Sequence, residues 1–323
     1  MSQAPNIDGV LITWGDRLFY PGNRVVKVKP QPKLNDSTRQ RAAAIRERIE
    51  ATVVRRAPQV MVKVTGGGRG MKAIAAHFRY ISKNGRLDIE DERGETMRGK
   101  DTLPGLADDW RFGGTLIDDM AEPGQRREAF NIMLSMPRGT GPLTVQRAAR
   151  EFAQIELADH KYVMVLHDHQ ANPHVHVSVR AESKHGKRLN PRKADLHRWR
   201  ETFAEKLRDR GVEAEATRQA TRGRNRNYDP LWRIKAREEG RLRTSRPSTK
   251  SSVHARSSRA EAVEAWMEVG RALETSTDKA DRDLARSIAN FIQEMPPTTP
   301  STVPSRKPEL KPVLKPIDID PRR

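Results

Sequence analysis

Residues 161–181 read KYVMVLHDHQANPHVHVSVRA and are the most informative stretch of the chain. Two segments within it, residues 161–169 and 174–181, carry the apolar and β-branched residues that favour strands. The residues QANP join them, and asparagine followed by proline is typical of a turn. Strands joined by so short a connection pair antiparallel, so the stretch predicts a β-hairpin.

The hairpin contains four of the nine histidines of the chain, namely His167, His169, His174 and His176. Side chains two positions apart on a strand point to the same face, so His174 and His176 project together, and the hairpin brings His167 or His169 beside them. Three imidazoles on one face make a metal site with open positions for phosphate and water. The chain has no cysteine, so any metal must be held by histidine or carboxylate side chains. The alternative is a group of surface or hydrogen-bonded histidines without a metal.

Strand and helix signals alternate around the hairpin. Residues 59–65 (QVMVKVT) alternate apolar and polar side chains as a strand does, and a run of glycines then ends the strand. A strand is also predicted over residues 129–136, and helices are predicted over residues 71–84, 143–157 and from the Asn190–Pro191 pair to Gly211. The mixture predicts an α+β fold in which sheet and helices pack in layers.

The segments outside this centre differ in composition. Residues 1–58 are basic, contain proline and are only patchily apolar, so we expect a largely disordered extension with one short helix within residues 37–54. The remaining boundaries that we predict are a folded domain at 59–228, a basic helix and linker at 229–257, a helical hairpin at 258–295 and a disordered, basic, proline-rich tail at 296–323.

The charge of the chain points to a polyanionic partner. Lys and Arg number 61 against 42 Asp and Glu, which gives a net charge of +19. Nucleic acid is the leading candidate, since we find neither a basic amphipathic helix nor a lipid anchor that would favour a membrane surface. No run approaches the roughly 20 apolar residues that span a bilayer, and no secretory signal is evident. We therefore expect a soluble, cytoplasmic protein without membrane insertion.

Tyr80 lies in the helix predicted over residues 71–84. It points well over 100° away from the centre of the apolar stripe, so it is not placed as a core residue. The small Ala73 and Ala76 beside it leave room for a nucleic-acid backbone, and polar or cationic groups lie nearby at His77, Arg79 and Lys83. A phenol can attack a phosphodiester in line when a metal relieves the negative charge, which suits transesterification. The alternative is an ordinary surface tyrosine.

Three segments in this order resemble the relaxase and mobilisation-nuclease family, especially the T-DNA border endonuclease branch of the His-hydrophobe-His nickases. They are GGGRGMKAIAAHFRYISKNGRL (66–87), MLSMPRGT (133–140) and HDHQANPHVHVSVR (167–180). The resemblance covers roughly residues 59–228. It implies a central antiparallel sheet flanked by helices.

The resemblance also implies roles for individual residues. Tyr80 is the nucleophile, and His167, His174 and His176 hold a divalent metal, Mg or Mn. His169 stands where close relatives carry an aspartate, so it either orients a ligand or replaces one. Four residues are second-shell groups or DNA contacts: Asp168, whose strand phase points it to the other face, and Ser135, Arg79 and Lys83.

The activity implied by the resemblance is nicking of one strand at a transfer origin in single-stranded or melted DNA. The 5′ end stays on the tyrosine, accessory relaxosome proteins and a type IV coupling protein assist, and the enzyme is exported with the strand through a type IV secretion channel. The Arg-rich residues 216–228 are expected to grip phosphates. Two alternatives stay open: a rolling-circle replication initiator, in which the tyrosine usually follows the histidines, and a non-enzymatic DNA-binding protein with a structural metal.

Overall fold

The computed structural model describes residues 6–20, 38–120, 126–223, 236, 239–241 and 253–295. Its centre is a six-stranded sheet in which every pair of neighbouring strands is antiparallel. The strands are β1 (Met61–Gly66), β2 (Ile89–Asp91), β3 (Thr96–Met97), β4 (Ala129–Ser135), β5 (His160–His167) and β6 (His174–Ser183), in the spatial order β1-β4-β6-β5-β2-β3. The predicted α+β class with an antiparallel sheet is confirmed.

Eight helices accompany the sheet in the part of the chain that the structure describes. They are α1 (Ile7–Phe19), α2 (Thr38–Val53), α3 (Met71–Ile81), α4 (Thr102–Phe112), α5 (Pro142–Glu156), α6 (Lys193–Arg208), α7 (Val253–Glu274) and α8 (Lys279–Gln293). None of the helices described is both long and apolar enough to span a bilayer.

The two faces of the sheet carry different helices because side chains alternate along each strand. One face packs against α5 and α6 in the largest apolar core, which contains Val175, Val177 and Val179 of β6. The other face meets α3 and α4 through Val163 and Val165 of β5. Trp110 of α4 is fully buried there and packs edge-on against Phe78 of α3. The predicted hairpin, at the middle of the sheet, is therefore held from both sides.

The helices at the two ends of the chain share a second core. Leu18 and Phe19 of α1 pack with Ile45 of α2, with Trp266 of α7 and with Phe291 of α8. The expectation that residues 1–58 form a largely disordered extension is therefore wrong for residues 6–20 and 38–58. The single helix expected within residues 37–54 is present as α2, but α1 was not predicted. Seven of its 13 residues are large and apolar, but α7 and α8, which supply the other half of the core, lie more than 200 positions away in the chain.

Buried polar groups join this helical core to the sheet domain. Arg48 of α2 is almost fully buried and donates hydrogen bonds to Glu201 of α6 at 3.0 Å and to Glu215 at 3.1 Å. The Nε2 of His197 donates to the carbonyl of Phe19 at 3.0 Å. Buried charges are tolerated when they are paired in this way.

Two smaller expectations need correction. The helix α6 begins at Lys193 with Arg192 as its N-cap, so Asn190 does not cap it, although Gly211 follows its end with a positive φ. Residues 253–257 of the expected linker belong to α7. Within the Arg-rich stretch, Arg218 donates to the carbonyl of Arg17, whereas residues 224–228 lie outside the described residues. The tail at 296–323 and nearly all of 229–252 also lie outside them.

Candidate active site

The β5–β6 hairpin brings three histidines together at its closed end. His167 of β5 pairs directly with His174 of β6, and His176 lies two positions further along β6 on the same face. All three side chains are buried, and each offers one ring nitrogen within 4.8 Å of the other two. The triad predicted from the sequence is therefore assembled by strand pairing alone.

Backbone carbonyls orient two of the three rings. The Nε2 of His167 donates to the carbonyl of Ile81 at 2.7 Å, and the Nδ1 of His174 donates to the carbonyl of Asn172 at 3.0 Å. Because a carbonyl only accepts, each ring is protonated at that nitrogen and keeps a lone pair on the other. Carbonyl partners of this kind fix the tautomer of metal-binding histidines.

Burial keeps two of the three imidazoles uncharged at neutral pH. Desolvation, together with the neighbouring imidazoles of His167, His174 and His77, lowers the pKa of His176 to about 3. Burial also lowers the pKa of His167, with the charges of His174, His169 and Lys83 acting in the same direction. Metal binding needs neutral imidazoles, so at neutral pH these two rings are ready to bind. Three converging nitrogens, two of them oriented, fit a divalent ion.

Tyr80 lies beside the triad. Its ring is 68 % exposed, and its centre is 6.3 Å from the ring centre of His176. The helix α3 is fixed beneath it by the predicted apolar stripe, since Met71, Ile74, Phe78 and Ile81 are all buried. Ile81 also provides the carbonyl that receives the hydrogen bond from His167, so α3 and the triad are joined directly. The structure therefore brings together the tyrosine and the histidines that the sequence singled out.

His77 lies between these groups, although the sequence indicated it only as a polar neighbour of Tyr80. Its ring stacks on Tyr80 at 6.1 Å between centres and meets His176 edge-on at 6.3 Å. Its Nε2 is buried and has no hydrogen-bond partner in the described part of the chain. Burial lowers its pKa to about 4. The spacing of three residues from Tyr80 on a helix was the available signal, because such residues are neighbours on the helix surface.

The remaining predicted residues fall into two groups. His169 and Asp168 are exposed beyond the end of β5, and the ring of His169 lies 5.2 Å from that of His167, outside the group of three. Arg79 is exposed and Lys83 is partly exposed near Tyr80. Ser135 is different. It is buried opposite His174, and its hydroxyl donates to the carbonyl of Pro173 at 3.2 Å, so it braces the turn beside the triad.

Comparison with known families bears on this hairpin. Residues 100–212 match the family model of the relaxase nuclease domain described as MobA/VirD2-like. The match supports a relaxase family for this part of the chain. The matched segment contains β4, β5 and β6 with all three histidines, whereas Tyr80 and α3 precede it. The relaxase match supports a DNA-nicking role and, with the histidine group, a divalent metal. No curated protein matches the chain.

Proposed function

We propose that this protein nicks one strand of DNA at a transfer origin by metal-assisted transesterification and remains attached to the 5′ end through Tyr80. The observation that carries the proposal is the exposed phenol of Tyr80 beside three buried imidazoles whose ring nitrogens converge. A nucleophile that attacks a DNA strand must be open to solvent, and ligands that hold a metal are best kept from water. The structure has both arrangements next to each other.

In the proposed reaction, the Oη of Tyr80 attacks the scissile phosphorus in line. The Oη–P bond forms, the bond from phosphorus to the 3′ oxygen breaks, the phenol loses its proton and the 3′ oxygen gains one. A divalent ion held by His167, His174 and His176 supplies Lewis-acid stabilisation of the phosphate charge. Arg79 and Lys83, close to Tyr80 in the chain, are the proposed cationic contacts to the DNA backbone. The covalent link conserves a phosphodiester-like bond that a later 3′ hydroxyl can attack.

The ligand atoms indicate which of the two expected metals, magnesium or manganese, suits the site better. Magnesium prefers oxygen ligands, whereas imidazole nitrogens suit transition metals. Of the two ions expected, a site with three nitrogens favours manganese over magnesium.

The proposed setting follows from the same function. Single-stranded or melted origin DNA is the substrate, and accessory relaxosome proteins and a type IV coupling protein are the expected partners. The nicking step takes place in the cytoplasm, and export of the protein with the strand through a type IV secretion channel is part of the proposal.

The test uses supercoiled plasmids that carry fragments of the DNA surrounding the gene, with Mn²⁺ or Mg²⁺ present. We expect relaxed plasmid with protein on its 5′ end, and we expect Tyr80→Phe to lose this product while it keeps DNA binding, since only the nucleophilic oxygen is removed. Tyr162→Phe is the matched control, because Tyr162 is buried on the opposite face of the sheet. Undiminished nicking by Tyr80→Phe would move the nucleophile elsewhere. A protein that only binds DNA would leave no covalent product with any variant.

A further inference from the structure

The sheet face that carries the triad is only partly covered. Helices α3 and α4 pack over the β5 and β2 side of this face. Their apolar cluster reaches Ala129 of β4 but includes no other residue of β4 and none of β1, which form the remaining side. Five side chains there are exposed or half-buried: Met61, Lys63, Thr65, Asn131 and Met133. We call these five residues the open face. Met61 is 44 % exposed.

Strand register makes the open face continuous with the metal site. His176 pairs with Met133, and Met133 pairs with Lys63. In the next row, His174 pairs with Ser135, and Ser135 pairs with Met61. Directly paired residues in antiparallel strands point to the same face, so both rows run from the triad to the edge of the sheet without interruption. Neighbouring strands are about 4.8 Å apart, and Lys63 lies two strands from His176. The backbones of these two residues are therefore about 10 Å apart across the sheet.

The charge of the open face favours a phosphate-bearing occupant. Lys63 is exposed and forms no ion pair with any residue that the structure describes, and the open face contains no acidic side chain. Its other members are two methionines, a threonine and an asparagine, which offer adaptable apolar and hydrogen-bonding contacts to sugars and bases. A protein strand that added to the sheet would instead bind through the backbone groups at the edge of β1. Such pairing would not require the side chains of the open face.

We propose that the DNA strand next to the scissile phosphate lies across the open face, and that Lys63 binds a neighbouring phosphate of the same strand. This rests on the proposed function, because the triad and Tyr80 define where the scissile phosphate sits. Lys63 is a positioning residue in this arrangement. It holds the strand in register with the metal site and takes no part in bond making.

The first experiment measures DNA binding without cleavage. The full chain carrying Tyr80→Phe is titrated with a fluorescent single-stranded oligonucleotide in EDTA, over a range of salt concentrations. Lys63→Ala should weaken binding and reduce the slope of log affinity against log salt by about 0.7, the value for one phosphate contact on a single strand. Lys63→Arg should retain both. Lys279→Ala is the control, because Lys279 is an exposed lysine on α8 and its loss changes the net charge equally.

The second experiment uses the absence of cysteine. In single Lys63→Cys and Lys279→Cys variants, the new thiol is the only one in the chain, so disulfide cross-linking to oligonucleotides with tethered thiols is site-specific. We expect Lys63→Cys to cross-link to tethers within a few nucleotides of the nick, and Lys279→Cys to give no such preference.

The two proposals fail in different ways. If the unmodified protein nicks DNA but Lys63→Ala binds with the same affinity and salt slope as Lys279→Ala, the open-face proposal is overturned alone. If Lys63→Cys cross-links no better than the control, the conclusion is the same. If no covalent product forms with any DNA, the proposed function is overturned, whereas a normal Lys63 effect on binding would still assign the open face to single-stranded DNA.

Discussion

Replacing Leu18 by alanine tests whether the two ends of the chain share a core. Leu18 is fully buried in the second core, and its carbonyl accepts a hydrogen bond from Thr221 at 2.9 Å. Truncation of a buried leucine costs about 2–5 kcal/mol, and we expect about 3 kcal/mol because every neighbour in this cluster belongs to a packed helix. At roughly 2–4 °C per kcal/mol for a unit of 150–250 residues, the unfolding temperature should fall by about 6–12 °C. Circular dichroism during heating measures it.

The matched control is Leu143→Ala. Leu143 lies in the first turn of α5 and is 61 % exposed, so the same chemical change there should alter stability by no more than about 0.5 kcal/mol. If residues 6–20 were an unstructured extension, the two variants would unfold at the same temperature. That result would refute the shared core and, with it, the assignment of α1 as part of the fold.

The other predictions concern the histidines. His176→Ala should lose most of the affinity for Mn²⁺ in a calorimetric titration, whereas His169→Ala should keep it, because His169 lies outside the buried group of three; equal losses would make His169 a ligand. The free energy of unfolding of the metal-free protein should fall as the pH drops below about 6.5, because burial holds the pKa of His77 at about 4 and that of His176 at about 3, so the unfolded chain binds protons that the folded chain does not. His77→Gln should show a shallower decrease between pH 6.5 and 5 in urea titrations, and an unchanged slope would contradict the buried, neutral state of His77.

The sequence predicted the hairpin and the shared face of His174 and His176 because both depend on local spacing, whereas the choice of His167 over His169 came from the family resemblance. The short connection of residues 168–173 fixes which strands pair, and alternation within β6 fixes which side chains share a face. The side of α3 that carries Tyr80 followed in the same way from helical periodicity. The distances between separate elements could not be predicted from such local patterns. The contact between α3 and the triad depends on how the helix docks on β5, which no local pattern specifies.

The missed elements share a dependence on distant partners. The apolar side chains of α1 are buried by contact with α7 and α8, and the sequence of α1 alone does not show that these distant helices pack against it. The strands β2 and β3 contain three and two residues, too few for a periodic pattern, and β2 exists because it pairs with β5. Glu90 of β2 is buried and forms an ion pair with Arg150 of α5. Such pairs become visible only when the chain has folded.

Histidines and valines alternate along the first part of β6, so the metal site and the apolar core depend on the same strand register. Val175, Val177 and Val179 are fully buried against α5 and α6, and His174 and His176 occupy the intervening positions on the other face. A slip of one residue against β4 or β5 would turn both imidazoles into the apolar core and the valines towards Tyr80. A slip would remove the valines from this packing, so their burial holds the register that gathers the ligands. The alternation of side chains in HVHVSV (174–179) therefore determines both the strand and the site. Any variant that weakens the valine packing should loosen the triad before it affects Tyr80.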